Sequence, residues 1–358
     1  MSALASRVEQ RTVVEGLTLS KPLKPRPRRL RRGTLVLSLV GVSLFSATSK
    51  VTAQISPVFT IHHESPSWSS AGLIAYLDKG IVFMDSVTGG TITSDSLAGI
   101  WVLHPETGEK RRVTPVGRSP DWSPDGTKLV LSTSQIYSVN ADGSDLRRLT
   151  SAGRNFFPAW SHDGEWLAFD SNYTLPVDAI WIMRPDGSER QVIGPTGARM
   201  PEWHPDGSLI VHIRGNWQVA TMTHQGSDIR FLTANAQNSH PEYSPDGSRI
   251  AYERKGAGLP EVWVMNADGS DQRRMTTRGG ASPSWSPDGR RIVFVLEDWS
   301  RDDPELGVLW VIDVETGEER QLTHKWPEQC ATWPLCPTTA TDAKSWSDMK
   351  SLYGRPGP

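Results

Sequence analysis

The chain has 358 residues, 38 Lys+Arg against 40 Asp+Glu, and two cysteines. Length alone allows two domains, and a formal net charge of −2 sets no strong bias toward nucleic acid or membrane surfaces. The cysteines, Cys330 and Cys336, do not have the spacing of a metal-binding pattern, and no Cys-x-x-Cys occurs.

The first 53 residues differ from the rest. They hold ten Lys+Arg and two acids, Glu9 and Glu15. Arg28-Arg29-Leu30-Arg31-Arg32 leads into an apolar run at 33–45, and Val51-Thr52-Ala53 offers a small-residue cleavage site. The apolar run, about thirteen residues, is short for a membrane span. The pattern predicts an export signal cleaved before Gln54. An uncleaved anchor is the alternative, Arg31-Arg32 makes a poor twin-arginine element, and the long basic lead leaves room for a start downstream of Met1. Without 1–53, Lys+Arg falls to 28 and Asp+Glu to 38, so the rest is near −10. An acidic body is a poor phosphate binder, so no nucleic-acid partner is expected. Residues 54–64 form a short lead.

From residue 65 the chain repeats itself. Pro-x-Trp followed by Ser-Pro-Asp-Gly, or a close variant, recurs at Pro66, Pro120, Pro158, Pro201, Pro241 and Pro283, with Tyr243 for tryptophan in the fifth copy. The closing glycines are 54, 38, 43, 40 and 42 residues apart, a period that marks propellers, solenoids and arrays. Each copy continues into an apolar strand such as Arg291-Ile292-Val293-Phe294-Val295. A tryptophan-centred strand follows, then an Asp-Gly or Thr-Gly turn, then a segment such as Arg273-Arg274-Met275-Thr276. β-Branched and aromatic runs bounded by such turns are antiparallel strands. In Ser-Pro-Asp-Gly, proline presets φ, aspartate bonds locally and glycine takes the positive φ. Four strands every ~40 residues make a propeller blade. The expected fold is all-β, a six-bladed propeller of four-stranded antiparallel blades over 65–323, followed by a tail at 324–358.

The sequence Pro-x-Trp-Ser-Pro-Asp-Gly … Asn-Ala-Asp-Gly-Ser … Arg-Arg-Leu-Thr resembles the repeat of the TolB propeller family, a WD40-like Pro-Asp repeat. The fifth and sixth copies match best. The first has Ser69-Ser70-Ala71-Gly72 in place of Ser-Pro-Asp-Gly and an insertion near Asp78 to Ala98, and in the fourth Trp217 is out of register. The family's periplasmic member carries an α/β domain before its propeller, and about a dozen residues separate Ala53 from the first blade here. Roles that need that domain are not carried over. In TolB the propeller binds a peptidoglycan-associated lipoprotein and colicins. The resemblance implies that mode of binding rather than those partners.

Five tryptophans lie in the Pro-x-Trp strand and four in register in the third strand, one per blade, as packing between blades requires. Trp166, Trp299 and Trp326 fall outside this pattern and are candidates for an exposed contact. The first strand of a blade borders the channel. Its residue between proline and tryptophan is Ser67, Asp121, Ala159, Glu202, Glu242 or Ser284. The residues before each proline, Ser65, Ser119, Phe157, Met200, His240 and Ser282, also lie near that channel, and Asp121, Glu202, His240 and Glu242 are the candidate channel residues. They could line a wall of solvated polar groups or hold a divalent cation, which wants several carboxylate oxygens. No other cofactor is expected. The loops at Asn140 and Asn266 look like calcium loops but lack the downstream glutamate, and they sit where a hairpin needs Asp-Gly. Cys330 and Cys336 are a candidate disulfide, plausible in an exported chain. The tail, or 55–61, could add a strand that closes the ring.

No Gly-x-Ser-x-Gly elbow, phosphate loop or His-Glu-x-x-His motif occurs. The expected function is an exported, non-catalytic scaffold, periplasmic or extracellular. It binds a protein or envelope polysaccharide through a loop face or channel mouth and acts as a monomer, with membrane contact only through an uncleaved signal. The alternative is a propeller-framed enzyme resembling the metal-dependent oligogalacturonate lyases, with His240, Glu202 and Glu242 as its only hint.

Overall fold

In the computed structural model, residues 60–84, 91–94, 98–234, 236–256, 258–296 and 307–323 are described. All of them lie in one compact unit, Thr52–Pro358; the other unit, Met1–Val51, is outside them. The export signal, most of the lead, Trp299, Trp326, Cys330, Cys336 and the tail also lie outside the described residues.

Six antiparallel sheets follow one another along the chain, each built from one contiguous stretch. The Pro-x-Trp segments are the first strands: Thr60–Trp68, Arg118–Trp122, Asn155–Trp160, Arg199–Trp203, Gln237–Tyr243 and Ala281–Trp285. Second and third strands are buried on both faces, as in Leu167–Ser171 and Ala179–Met183, because each sheet is covered by a neighbour on either side. That is why they read as apolar runs instead of alternating ones. In blades 2 to 5 the outermost strand is only two exposed residues, such as Arg147–Arg148 and Arg273–Arg274. A short, charged edge discourages pairing with another chain.

The core is divided among the blade interfaces. Trp122 packs with Ala75 and Ile100 of the preceding blade, Trp160 with Val130 and Ile136, Trp203 with Ile180 and Ile182. Tyr243 packs with Val211 and Ile213, and Trp285 with Ala251 and Val262. The sixth interface joins Val293, Val295 and Leu309 to Ile74, Tyr76 and Trp68, so the last blade meets the first. The ring thus closes by face-to-face packing of blades that are each complete in sequence. Blade 1 differs by one feature. Its second strand continues to Met84 and pairs there with Thr91–Ser94, so the insertion seen in sequence is a hairpin arm on a five-stranded sheet.

Candidate functional site

The first strand of every blade is bent at the same place. Its register with the second strand slips between Glu64 and Ser67, Arg118 and Asp121, Phe156 and Ala159, Arg199 and Glu202, Ser239 and Glu242, and Ala281 and Ser284. At each slip the residue before proline is left-handed, with φ between 47° and 52° at Ser65, Ser119, Phe157, Met200, His240 and Ser282. Side chains other than glycine enter this region at a cost of about 1–2 kcal/mol. A bulge re-aims side chains, and here all six line the same cavity. Their chemistry divides the mouth into two arcs: Phe157, Met200 and His240 on blades 3, 4 and 5, and three serines on blades 6, 1 and 2.

Below the bulges the residues between proline and tryptophan form a girdle. Asp121 accepts from Ser67 Oγ at 3.1 Å and from the Trp160 amide at 2.8 Å. Glu242 Oε1 accepts from Ser284 Oγ at 3.1 Å and the Trp285 amide at 2.9 Å. Ser284 Oγ accepts from the Trp68 amide at 3.2 Å, bridging the last blade to the first. Where blade 3 offers only Ala159, the Trp203 amide turns to its neighbour Glu202 at 3.2 Å. Asp121 and Glu242 therefore clamp blade interfaces as well as line the lumen.

Ser67, Asp121, Glu202 and Glu242 border two cavities, one on each side of the girdle. The mouth side is about 90 Å³; the side toward the Ser-Pro-Asp-Gly turns is about 270 Å³. Burial pushes Asp121 up to about 6 against the donors that hold it down. Burial likewise raises Glu242 to about 8. Glu202 is raised well above the usual carboxylate range by burial and by the charges of Asp121 and Glu242.

His240 sits one step out from the girdle. Its Nδ1 lies 3.3 Å from Glu253 Oε2, and its ring meets Phe157 edge-on at 5.7 Å. Burial works to raise Glu253, but His240 and the Ser282 amide hold it below the usual range. His240 lines the mouth cavity with Asp121, Glu202 and Glu242, while the bulge turns its Nδ1 toward Glu253. Among the described residues no three His, Cys, Asp or Glu side chains are grouped to hold one metal ion.

At the turn face a second set of carboxylates follows opposite rules. The serine hydroxyls of Ser123, Ser161, Ser244 and Ser286 each donate at 2.6 Å to the aspartate two residues on. In blade 4 His204 takes the serine's place, its Nδ1 2.7 Å from Asp206. The loops that look like calcium sites are turns, with Asp142 accepting from the Ser144 amide at 2.9 Å and Asp268 from the Ser270 amide at 2.9 Å.

Two aromatic expectations change places. Trp166 is half-buried under Arg184, whose guanidinium lies 4.0 Å from the ring. Its place just after the turn lets it cover the outer edge of an interface. Trp217, set aside as out of register, is 40% exposed at φ 59° in a hairpin tip, with Arg199 5.9 Å from its ring. The residues before each proline were expected near the channel and line it; the bulge and positive φ that turn them there escaped sequence reading.

Residues 93–281, more than half of the chain, match the family model of the TolB beta propeller domain. The Tol-Pal system protein TolB of Francisella tularensis subsp. mediasiatica is 27% identical over 250 residues, covering 62% of this chain and 54% of that protein. A solved TolB candidate from Agrobacterium tumefaciens has TM-score 0.56 and 25% identity, covering 63% of this chain and 87% of its own. An oligogalacturonate lyase from Vibrio parahaemolyticus has TM-score 0.50 at 14% identity, covering 75% of this chain and 79% of its own, a likeness of fold alone. The chain spans at most 66% of the length of the curated relatives it matches. A propeller repeated in this register and matched across most of its blades is a member of the TolB beta-propeller family.

Proposed function

We propose that this protein is an exported, non-catalytic propeller that binds a protein or cell-envelope partner at its channel mouth, in the periplasm or outside the cell. The observation that carries the reading is the two-arc mouth. Turns and interface tryptophans repeat from blade to blade, whereas the pre-proline side chains differ and are bent into the lumen. Positions that a repeat does not need for folding are where a site can be grafted. Relatives named Tol-Pal system proteins support a protein partner and an exported location. The basic and apolar run before Gln54 supports the same route.

Export is tested by mass spectrometry of the protein from its own cells, where a mature chain beginning at Gln54 is expected. Binding is tested by cross-linked affinity capture in the cell envelope. A partner that is lost with Phe157→Ser and Met200→Ser, and kept with Arg147→Ser on the outer edge, supports the mouth. Equal capture by all three variants would move the site elsewhere.

A further inference from the structure

Three acids line the channel, and among the described residues the bases that line it with them are two histidines, His240 at the mouth and His162 on the turn side. No lysine or arginine lines either half of the lumen. These half-buried carboxyls face the lumen without a lysine or arginine, so they are left to hold protons or to meet a cation from outside. Both donors to Glu242 go to Oε1, which leaves its second oxygen out of the clamp.

The turn-side half is also walled by one aromatic residue from every blade: Trp68, Trp122, Trp160, Trp203, Tyr243 and Trp285. Aromatic faces attract cations, and these rings already do so, with Arg249 4.9 Å over Trp285 and Arg291 5.6 Å over Trp68. Tyr243 is only 5% exposed, and its hydroxyl is buried without a partner among the described residues. A buried hydroxyl of this kind calls for a ligand or water beside it.

We propose that the turn-side half of the channel binds an alkylammonium group, from a partner's lysine side chain or a free amine, with the charge at the Asp121, Glu202 and Glu242 girdle and the methylenes against the aromatic wall. This goes beyond the partner-binding reading, which concerns the mouth on the other side of the girdle, and shares with it only the need for an open channel. A compact divalent ion needs several oxygens in one tight shell, whereas an ammonium carries three donors on a chain that suits aromatic walls. Protons held by the girdle leave as the cation enters, and His162, the titratable base lining the same half, is held below the usual imidazole range by burial, so binding tightens with rising pH.

The test is titration calorimetry on the full chain with Nα-acetyl-lysine methylamide, cadaverine and Nα-acetyl-norleucine methylamide. Each is run at about pH 6.5 and about pH 8.5, in buffers of different ionisation heat. The expected result is binding of the amines but not of norleucine, roughly tenfold tighter at the higher pH, with proton release. Tighter binding of the lysine compound assigns the group to a polypeptide, and tighter cadaverine binding assigns it to a free amine; both support the site. Glu202→Gln weakens binding roughly tenfold or more with thermal unfolding intact; if it does not fold, Asp121→Asn is read in the same way. The idea is overturned by silence from both amines at millimolar concentration or by equal binding of norleucine. It is equally overturned by calcium binding with no amine heat, or by binding indifferent to pH and to the girdle variants. Because no partner is present, a failed envelope capture leaves this result standing, and a failed titration leaves the capture standing.

Discussion

The propeller carries two belts of carboxylates, and they behave in opposite ways. At the turn face, Asp206 and Asp246 are held down to about 2, each first by a serine hydroxyl and then by a backbone amide, in near-full contact with water. In the channel, Asp121 and Glu242 accept the same kinds of bond yet are pushed up to about 6 and about 8. The donors are alike and the solvation is not. Two hydrogen bonds outweigh a small desolvation cost at the surface and fail to outweigh a large one in the lumen. The turn belt is therefore a fixture of the fold, and the girdle is held in a state that a proton or another cation can change.

The largest effect is expected where the turn belt departs from its own rule. Gly207 and Gly247 close successive turns at φ 74° and 72°. A Cβ at Gly207 would meet nothing within 4 Å, whereas at Gly247 it would lie 2.4 Å from His204 Nε2. Gly207→Ala should cost about 1 kcal/mol from φ alone. Gly247→Ala should cost about 3 kcal/mol, strain plus displaced imidazole, seen as a larger fall in thermal midpoint. His204→Ser, restoring the residue of the other turns, should bring the two costs together. Equal costs without it would show that His204 is not locked in place.

A smaller effect tests the sign of the two belts. Glu242 titrates near 8 when folded and near 4.5 when unfolded, so its contribution is fully present below 4.5 and lost as pH rises through 8. Glu242→Gln keeps an acceptor for Ser284 and Trp285 without the charge. Its midpoint should match the parent near pH 4.5 and exceed it by a few degrees at about pH 9, on the order of 2 kcal/mol. Asp246 runs the other way: its contribution is present above 3.8 and lost as pH falls through 2. Asp246→Asn should lower the midpoint at neutral pH, with the difference closing near pH 2. Parallel pH curves for both variants would remove the distinction between the belts.

How far the sequence spoke follows the same division. The blades were legible because turn chemistry and interface packing demand the same residues six times over. Ser286, Asp288 and Gly289 recur as a unit since hydroxyl, carboxylate and positive φ all serve one turn. Asp121, Glu202 and Glu242 could be placed in the channel from strand order, and they lie there together. What they do there was not legible. Asp121 and Glu242 bond amides of the next blade, some 40 residues away, Glu202 bonds the amide of its own neighbour, and the desolvation of all three is a property of the closed ring. His240 lies at the mouth with them, and its contact with Glu253 was hidden for a local reason, a one-residue bulge in its strand. Trp217 was passed over because a shifted hairpin leaves outside a ring that its counterparts bury.

The finest comparison lies within one motif. In Pro283-Ser284-Trp285-Ser286 two serines stand two residues apart, one in each belt. Ser284 Oγ donates to Glu242 and accepts from the Trp68 amide across the closure of the ring. Ser286 Oγ donates to Asp288 and accepts from the Arg291 amide at 2.9 Å, all within one turn. By bond count alone the two alanine variants should cost the same, about 1 kcal/mol each at neutral pH. They should part when conditions change. Ser286→Ala removes a donor from a carboxylate that the turn keeps ionised, so its cost shrinks in acid as Asp288 takes up a proton. Ser284→Ala removes a donor from a carboxyl that holds its own proton until about pH 8, so its cost persists through acid and grows only in base. Thermal unfolding of the pair across the pH range reads this crossing directly, and two curves of one shape would mean that the girdle is solvated as the turns are.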